Sequence, residues 1–176
     1  FKKLMLSALS VFVMSAATHS LAADPANIAK MEVSSGGTVV IELLPNLAPK
    51  HVERIKTLAA EGFYDGIIFH RVIPGFMAQT GDPTGTGMGG SKYPDVPAEF
   101  SSYMYKRGTV GMARSQSPDS ANSQFFICFD DSGCRSLTGQ YTVLGQVTSG
   151  MEFIDNVATG QPPRNPDKII KLTVGQ

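Results

Sequence analysis

Apolar and polar residues alternate over 28–34, where Ala29, Met31 and Val33 fall on one side and Lys30, Glu32 and Ser34 on the other. The same period returns at 38–43 with Val39, Ile41 and Leu43, and Ser35-Gly36-Gly37 lies between the two runs. Period-two runs around a glycine turn predict a β-hairpin. The spacing then lengthens: Val52, Ile55, Leu58 and Ala59 share one helical face, Pro49 suits a first turn and Gly62 a C-cap, so a helix is expected from 49 to about 61. Beyond Tyr64 the pattern breaks into short apolar runs between turn residues, at 67–73, 76–79, 109–114, 124–129 and 141–147, each the length of a strand. A second short helix is expected over 151–157, with Phe153, Ile154 and Val157 inward, and a closing strand over 168–174. Many short antiparallel strands with two helices predict a mainly β fold, a closed barrel with helices plugging its ends.

Composition sharpens this in two places. The chain has 176 residues, 42% of them hydrophobic, which fits one domain with a sizeable core, and 18 Gly with 11 Pro favour turns over long helices. Fifteen basic residues balance fifteen acidic ones, so charge points to neither nucleic acid nor an anionic membrane surface. The first residues differ from the rest. Lys2 and Lys3 precede an apolar run over 4–17, and Ser20-Leu21-Ala22 places small residues where a signal peptidase reads them. Residues 1–22 therefore read as a secretory signal peptide and 23–176 as the domain, periplasmic or secreted, free of the membrane after cleavage and monomeric. Losing two lysines and no acid leaves thirteen basic against fifteen acidic residues, a net charge of −2. An oxidising compartment permits a disulfide between Cys128 and Cys134. Their positions, one in an apolar strand and one in a polar loop, favour two unpaired thiols instead.

Several chemistries fail on inspection. Gly85-Thr86-Gly87-Met88-Gly89-Gly90 fits G-x-G-x-x-G, but Pro94 and Pro97 follow where a dinucleotide site needs a helix, so the run reads as a loop. No G-x-S-x-G elbow occurs, and beyond residue 22 the chain keeps only His51 and His70, which with two cysteines make no metal site. Neither a cofactor nor a metal is expected.

What survives is a groove. The stretch from Phe69 to Gln79 sets Arg71 and Gln79 among residues built for burial, and Ser123-Gln124-Phe125-Phe126-Ile127 sets an amide beside alternating aromatics. A buried unpaired charge costs several kcal/mol, so Arg71 must face a partner or a ligand-sized surface, which Phe76 and Met77 would floor. One reaction needs only a cation, amides and an apolar pocket. Rotation about an X-Pro bond crosses a barrier of ~18–20 kcal/mol between end states that differ by about 0.5–1 kcal/mol. At the twisted midpoint the proline nitrogen becomes pyramidal and gains a lone pair, so a donor aimed there binds the transition state better than either end.

The segments Phe69-His70-Arg71-Val72-Ile73-Pro74-Gly75-Phe76-Met77-Ala78-Gln79-Thr80-Gly81-Asp82, Gly108-Thr109-Val110-Gly111-Met112-Ala113-Arg114 and Asn122-Ser123-Gln124-Phe125-Phe126-Ile127 closely resemble the cyclophilin family of peptidyl-prolyl cis-trans isomerases. The likeness runs from about Met31 to the C-terminus, and Met112-Ala113-Arg114 resembles bacterial members. It implies an eight-stranded antiparallel barrel capped by two helices, with the groove on its outer face. It also implies roles: Arg71 as the catalytic arginine, with Gln79 and Phe126 beside it at the reacting bond. Phe76, Met77, Ala113, Phe126 and Leu137 match the proline pocket, while Gln79, Arg114 through its backbone, Ser115 and Gln124 match the groove that holds the substrate chain. Tyr141 stands where many relatives carry His at the pocket edge. Of the two adjacent phenylalanines, strand alternation lets one face the groove, and Phe126 is the expected one. Where the family usually carries Trp or Phe before Leu137, this chain has Arg135-Ser136, so tight cyclosporin binding is not expected. The implied partners are proline-containing polypeptides, among them unfolded exported proteins. The alternative is a chaperone or adaptor that binds proline segments with weak or no turnover.

Overall fold

The computed structural model describes residues 21–176, so the expected signal segment lies outside the described residues except for its last two positions. The hairpin forms as β1 (Ile28–Val33) and β2 (Gly37–Leu43), paired antiparallel with Met31 opposite Val39. Ala29, Met31 and Val33 are buried while Lys30 and Glu32 are exposed, as alternation requires. Gly36 turns the hairpin at φ +143°, a conformation that L side chains avoid.

Helix α1 (Pro49–Ala60) buries Val52, Ile55, Leu58 and Ala59. Its N-cap, Ala48, offers no side chain; Glu99, distant in sequence, takes that role by accepting the Lys50 N–H at 2.9 Å. Then follow β3 (Arg71–Ile73), β4 (Met77–Thr80), β5 (Thr109–Met112), β6 (Phe125–Cys128), β7 (Val143–Ser149) and β8 (Ile169–Val174). Helices α2 (Asp131–Cys134) and α3 (Met151–Asp155) complete the set, three α-helices among the described residues where the sequence predicts two.

The eight strands form one antiparallel sheet in the order β3-β4-β6-β5-β7-β2-β1-β8. It is a curled, open sheet, which corrects the expected closed barrel. Its edge strands, β3 and β8, share no ladder; the segments beside them meet through isolated bridges, Ile68 with Lys168 and Val72 with Gly160, and through a few backbone hydrogen bonds such as that from the Ile169 N–H to the Ile67 carbonyl (2.8 Å). Two features keep the seam open: β3 is three residues long, and the segment leading into β8 carries Pro162, Pro163 and Pro166, which have no N–H to donate. Most large apolar residues, including Met31, Leu58, Tyr64, Phe69, Phe125, Ile127 and Ile154, fill the core inside the sheet. A second, smaller cluster of Met77, Tyr105, Phe126, Cys128, Cys134 and Val143 sits apart from it, and this cluster positions the site.

The cysteines also correct an expectation. Cys128 and Cys134 are joined in a disulfide with their Cα atoms 6.2 Å apart, and both are fully buried. The stretch read as a loop is α2, started by Asp130, whose carboxylate accepts the Ser132 N–H at 2.8 Å. One helical turn brings Cys134 back over β6, so the strand sulfur finds its partner without any displacement of the backbone.

Candidate active site

Strand register assembles the site. Arg71 on β3 lies directly opposite Gln79 on β4, Gln79 opposite Phe126 on β6, and Phe126 opposite Gly111 on β5. Directly opposed residues share a face, so these four form one row across four strands. Side chains two residues away share that face, which adds Met77 and Cys128, themselves opposed. Phe125 and Ile127 point the other way, into the main core. Gly111 is required within the row, because a Cβ there would collide with the Tyr105 hydroxyl and the tip of the Phe126 ring.

Above the row is a hollow of about 110 Å³ lined by Arg71, Phe76, Met77, Gln79, Ala113, Arg114, Phe126, Leu137 and Tyr141. It is far larger than the roughly 10–15 Å³ that one water requires. Phe126 forms its floor, stacked on Tyr105 at 5.8 Å and edge-on to Tyr141 at 5.9 Å. Tyr105 donates to the carbonyls of Tyr141 (3.0 Å) and Thr142 (3.2 Å), and burial pushes its phenol pKa well above the ordinary value, which keeps the donor protonated. Sequence reading missed Tyr105, and nothing distinguishes it there from the neighbouring Tyr103.

The two arginines at the hollow differ. The Arg114 guanidinium is occupied: it donates to the carbonyls of Gln140, Ser115 and Gln116 and lies 4.5 Å from the centre of the Tyr141 ring. Arg71 is half-buried, and its Nε donates weakly to Gln161 Oε1 at 3.3 Å. Among the described residues no carboxylate pairs with it, so its two Nη groups remain available to a ligand in the hollow. His70, next in sequence, is buried with neither ring nitrogen hydrogen-bonded among the described residues. Burial lowers its pKa, as does Arg71, against the pull of Asp82, and favours a neutral ring.

Beyond Gln79, Ala113 and Arg114, which line both, opens a second and larger hollow of about 530 Å³. Ser115 and Gln124 face this one and not the first. The Gln79 amide donates to Gln124 Oε1 at 2.9 Å, and the Gln124 amide donates to the carbonyls of Gly87 (3.0 Å) and Gly89 (2.9 Å). The glycine-rich run is thus a wall of the groove, tied to Gln79 through one intervening amide.

That run is organised by Asp82, which sequence reading placed in a motif but gave no role. Its buried carboxylate accepts from the Thr84 N–H (2.8 Å) and hydroxyl (2.7 Å) and from the N–H groups of Gly87 (2.6 Å) and Gly89 (3.1 Å). At Gly89 a Cβ would strike this carboxylate, so the glycine is obligatory. Burial alone would raise the Asp82 pKa, but the hydrogen bonds from Thr84, Gly89 and Gly87 outweigh it and hold the group at about 2. In the unfolded chain an Asp titrates near 3.9. The folded value lies below the unfolded one, so the stabilisation is complete above about pH 4 and is lost as pH falls towards 2. The melting-temperature gap between wild type and Asp82→Asn is expected to close over that interval. A gap that stays constant with pH would show that Asp82 does not anchor the loop.

A family model described as "Cyclophilin type peptidyl-prolyl cis-trans isomerase/CLD" matches residues 28–174. A "Probable peptidyl-prolyl cis-trans isomerase" of Brucella suis biovar 1 (strain 1330) is 54% identical, covering 87% of this chain and 85% of its own. The "Peptidyl-prolyl cis-trans isomerase B" of Bacillus subtilis (strain 168) is 43% identical, covering 73% and 88%. Among solved structures, a cyclophilin-type isomerase of Cryptosporidium parvum in the presence of the dipeptide Ala-Pro superposes with a TM-score of 0.76 at 29% identity, over 84% of this chain and 98% of that one. A cyclophilin of Hirschia baltica gives 0.77 at 28% identity, over 86% and 74%.

Proposed function

The chain belongs to the cyclophilin-type peptidyl-prolyl cis-trans isomerases, and on that premise we propose that Arg71 is its catalytic residue and that its natural substrates are exported polypeptides carrying X-Pro bonds. The proline ring enters the hollow between Phe126, Met77, Phe76, Ala113, Leu137 and Tyr141. The chain on either side lies across Gln79, the Arg114 backbone, Ser115 and Gln124. An Arg71 Nη–H then donates to the proline nitrogen as the imide twists and its lone pair appears. In the planar ground states that lone pair is delocalised and accepts poorly, so the bond is made at the midpoint and lowers the barrier there. No proton leaves the arginine, and His70 has no part in the step.

The observation that carries this reading is the single row of Arg71, Gln79 and Phe126, with an arginine unpaired by any described carboxylate at the lip of a hollow floored by the Phe126 ring. A proline-peptide isomerisation assay of wild type against Arg71→Ala tests it. Equal rates would leave Arg71 without a catalytic role.

Export is supported by Lys2-Lys3, the apolar run 4–17 and Ser20-Leu21-Ala22, followed by a domain whose two cysteines pair. Protein recovered from the periplasm or medium is expected to lack residues 1–22. Protein found only in the cytoplasm with those residues intact would overturn this assignment.

A further inference from the structure

The disulfide stands behind the wall of the hollow. Cys128 follows Phe126 by two residues on β6, shares its face and lies opposite Met77. Cys134 ends α2, three residues before Leu137. The two sulfurs belong to the cluster that holds Met77 and Phe126, with Phe76 and Leu137 packed against it. Cys134 Sγ is 3.3 Å from the Phe76 carbonyl oxygen. A Cβ at Gly133 would collide with the Gly75 carbonyl, so α2 lies directly on the turn between β3 and β4 that presents Phe76. Helix α2 is a four-residue helix continued by the 3-10 turn Arg135–Leu137. Pieces this short do not hold a position through their own backbone bonds.

We propose that the Cys128–Cys134 disulfide is a positioning element for the proline hollow: it clamps α2 to β6 and so fixes Leu137 and Phe76 against the ring, making substrate affinity depend on the oxidation state of the pair. This rests on the reading that the hollow holds the proline. Formation of the bond removes two electrons and two protons from the thiols and passes them to a disulfide oxidant, which leaves as a dithiol. A dithiol reductant such as dithiothreitol reverses it. Arg71 and Gln79 lie on β3 and β4 with their own partners, Gln161 and Gln124, so reduction leaves the reacting bond's donor in place.

The test compares oxidised wild type, wild type unfolded and refolded under dithiothreitol, and Cys134→Ala, with thiols counted by alkylation and mass and folding checked by melting. For an Ala-Pro peptide, KM is expected to rise about five- to tenfold in the reduced and Cys134→Ala forms, tenfold corresponding to about 1.4 kcal/mol. The expected kcat stays within about twofold, and Cys134→Ala no longer responds to reductant. If Cys134→Ala does not fold, the two wild-type forms decide. Equal KM in verified oxidised and reduced protein overturns the proposal, as does a fall in kcat alone, or two alkylatable thiols in protein isolated from an oxidising compartment. Failure of the underlying reading is separately visible as wild-type KM in an oxidised Phe126→Ala protein.

Discussion

Arg71→Ala is expected to lower kcat/KM by about 10²- to 10³-fold with most of the loss in kcat, and to leave the melting temperature nearly unchanged. Removing one preorganised donor aimed at developing charge costs enzymes about that much, roughly 2.7–4 kcal/mol. A millionfold acceleration of X-Pro rotation needs about 8 kcal/mol. The arginine would thus supply at most about half, leaving the remainder to the hollow and to restraint of the flanking chain, so the variant retains activity above solvent. Stability changes little because Arg71 is half-buried and holds, among the described residues, only the 3.3 Å bond to Gln161. Arg71→Lys is expected to recover little: a single ammonium on a shorter reach does not present the planar fork. An Arg71→Ala enzyme within about threefold of wild type would remove the arginine from the mechanism. A loss confined to KM would make it a binding group only.

The parts of this fold that were legible in sequence are those where one face is wet. In β1, Lys30 and Glu32 alternate with buried Ala29, Met31 and Val33, and α1 carries its apolar stripe at regular spacing. In β6 all four residues are buried, because the main core covers one face and the hollow's cluster the other. Hydrophobicity alone therefore says nothing about which phenylalanine faces the groove, and only parity with Gln124 and Ile127 does. The remaining misses arise from contacts distant in sequence. Glu99 caps α1 from nearly fifty residues away, and Asp82 organises glycines that carry no pattern of their own. Asp130 to Gly133 has a loop's composition, and only the Asp130 cap and the covalent tie to β6 make it helical. Of the row, only the pairing of Arg71 with Gln79 is local, across one short turn; Phe126 joins it from a strand nearly fifty residues on, so its place there was readable from the resemblance of whole segments and not from local pattern.

Phe126→Ala is expected to cost about 3–5 kcal/mol of stability and to raise KM at least tenfold, with a smaller effect on kcat. The ring is 4% exposed and packs between Tyr105 and Tyr141, so truncation leaves a cavity that neither tyrosine can fill: Tyr105 is held by the carbonyls of Tyr141 and Thr142, and Tyr141 by Arg114. For a domain of this size, each kcal/mol shifts the melting temperature by about 2–4 °C, so a fall of roughly 6–20 °C is expected. The protein remains folded at assay temperature if its total stability lies in the upper part of the usual range of about 5–15 kcal/mol. Stability and catalysis are separated by the neighbouring residue. Phe125 points into the main core, its ring 5.4 Å from that of Tyr64, so Phe125→Ala is expected to lose comparable stability. Its KM should nevertheless stay close to wild type, because no lining residue of the hollow is removed. If both variants raise KM alike, the effect is one of general loosening and the hollow has no particular claim on the proline ring. If Phe126→Ala alone does, one residue's parity along β6 decides which side of the sheet binds substrate.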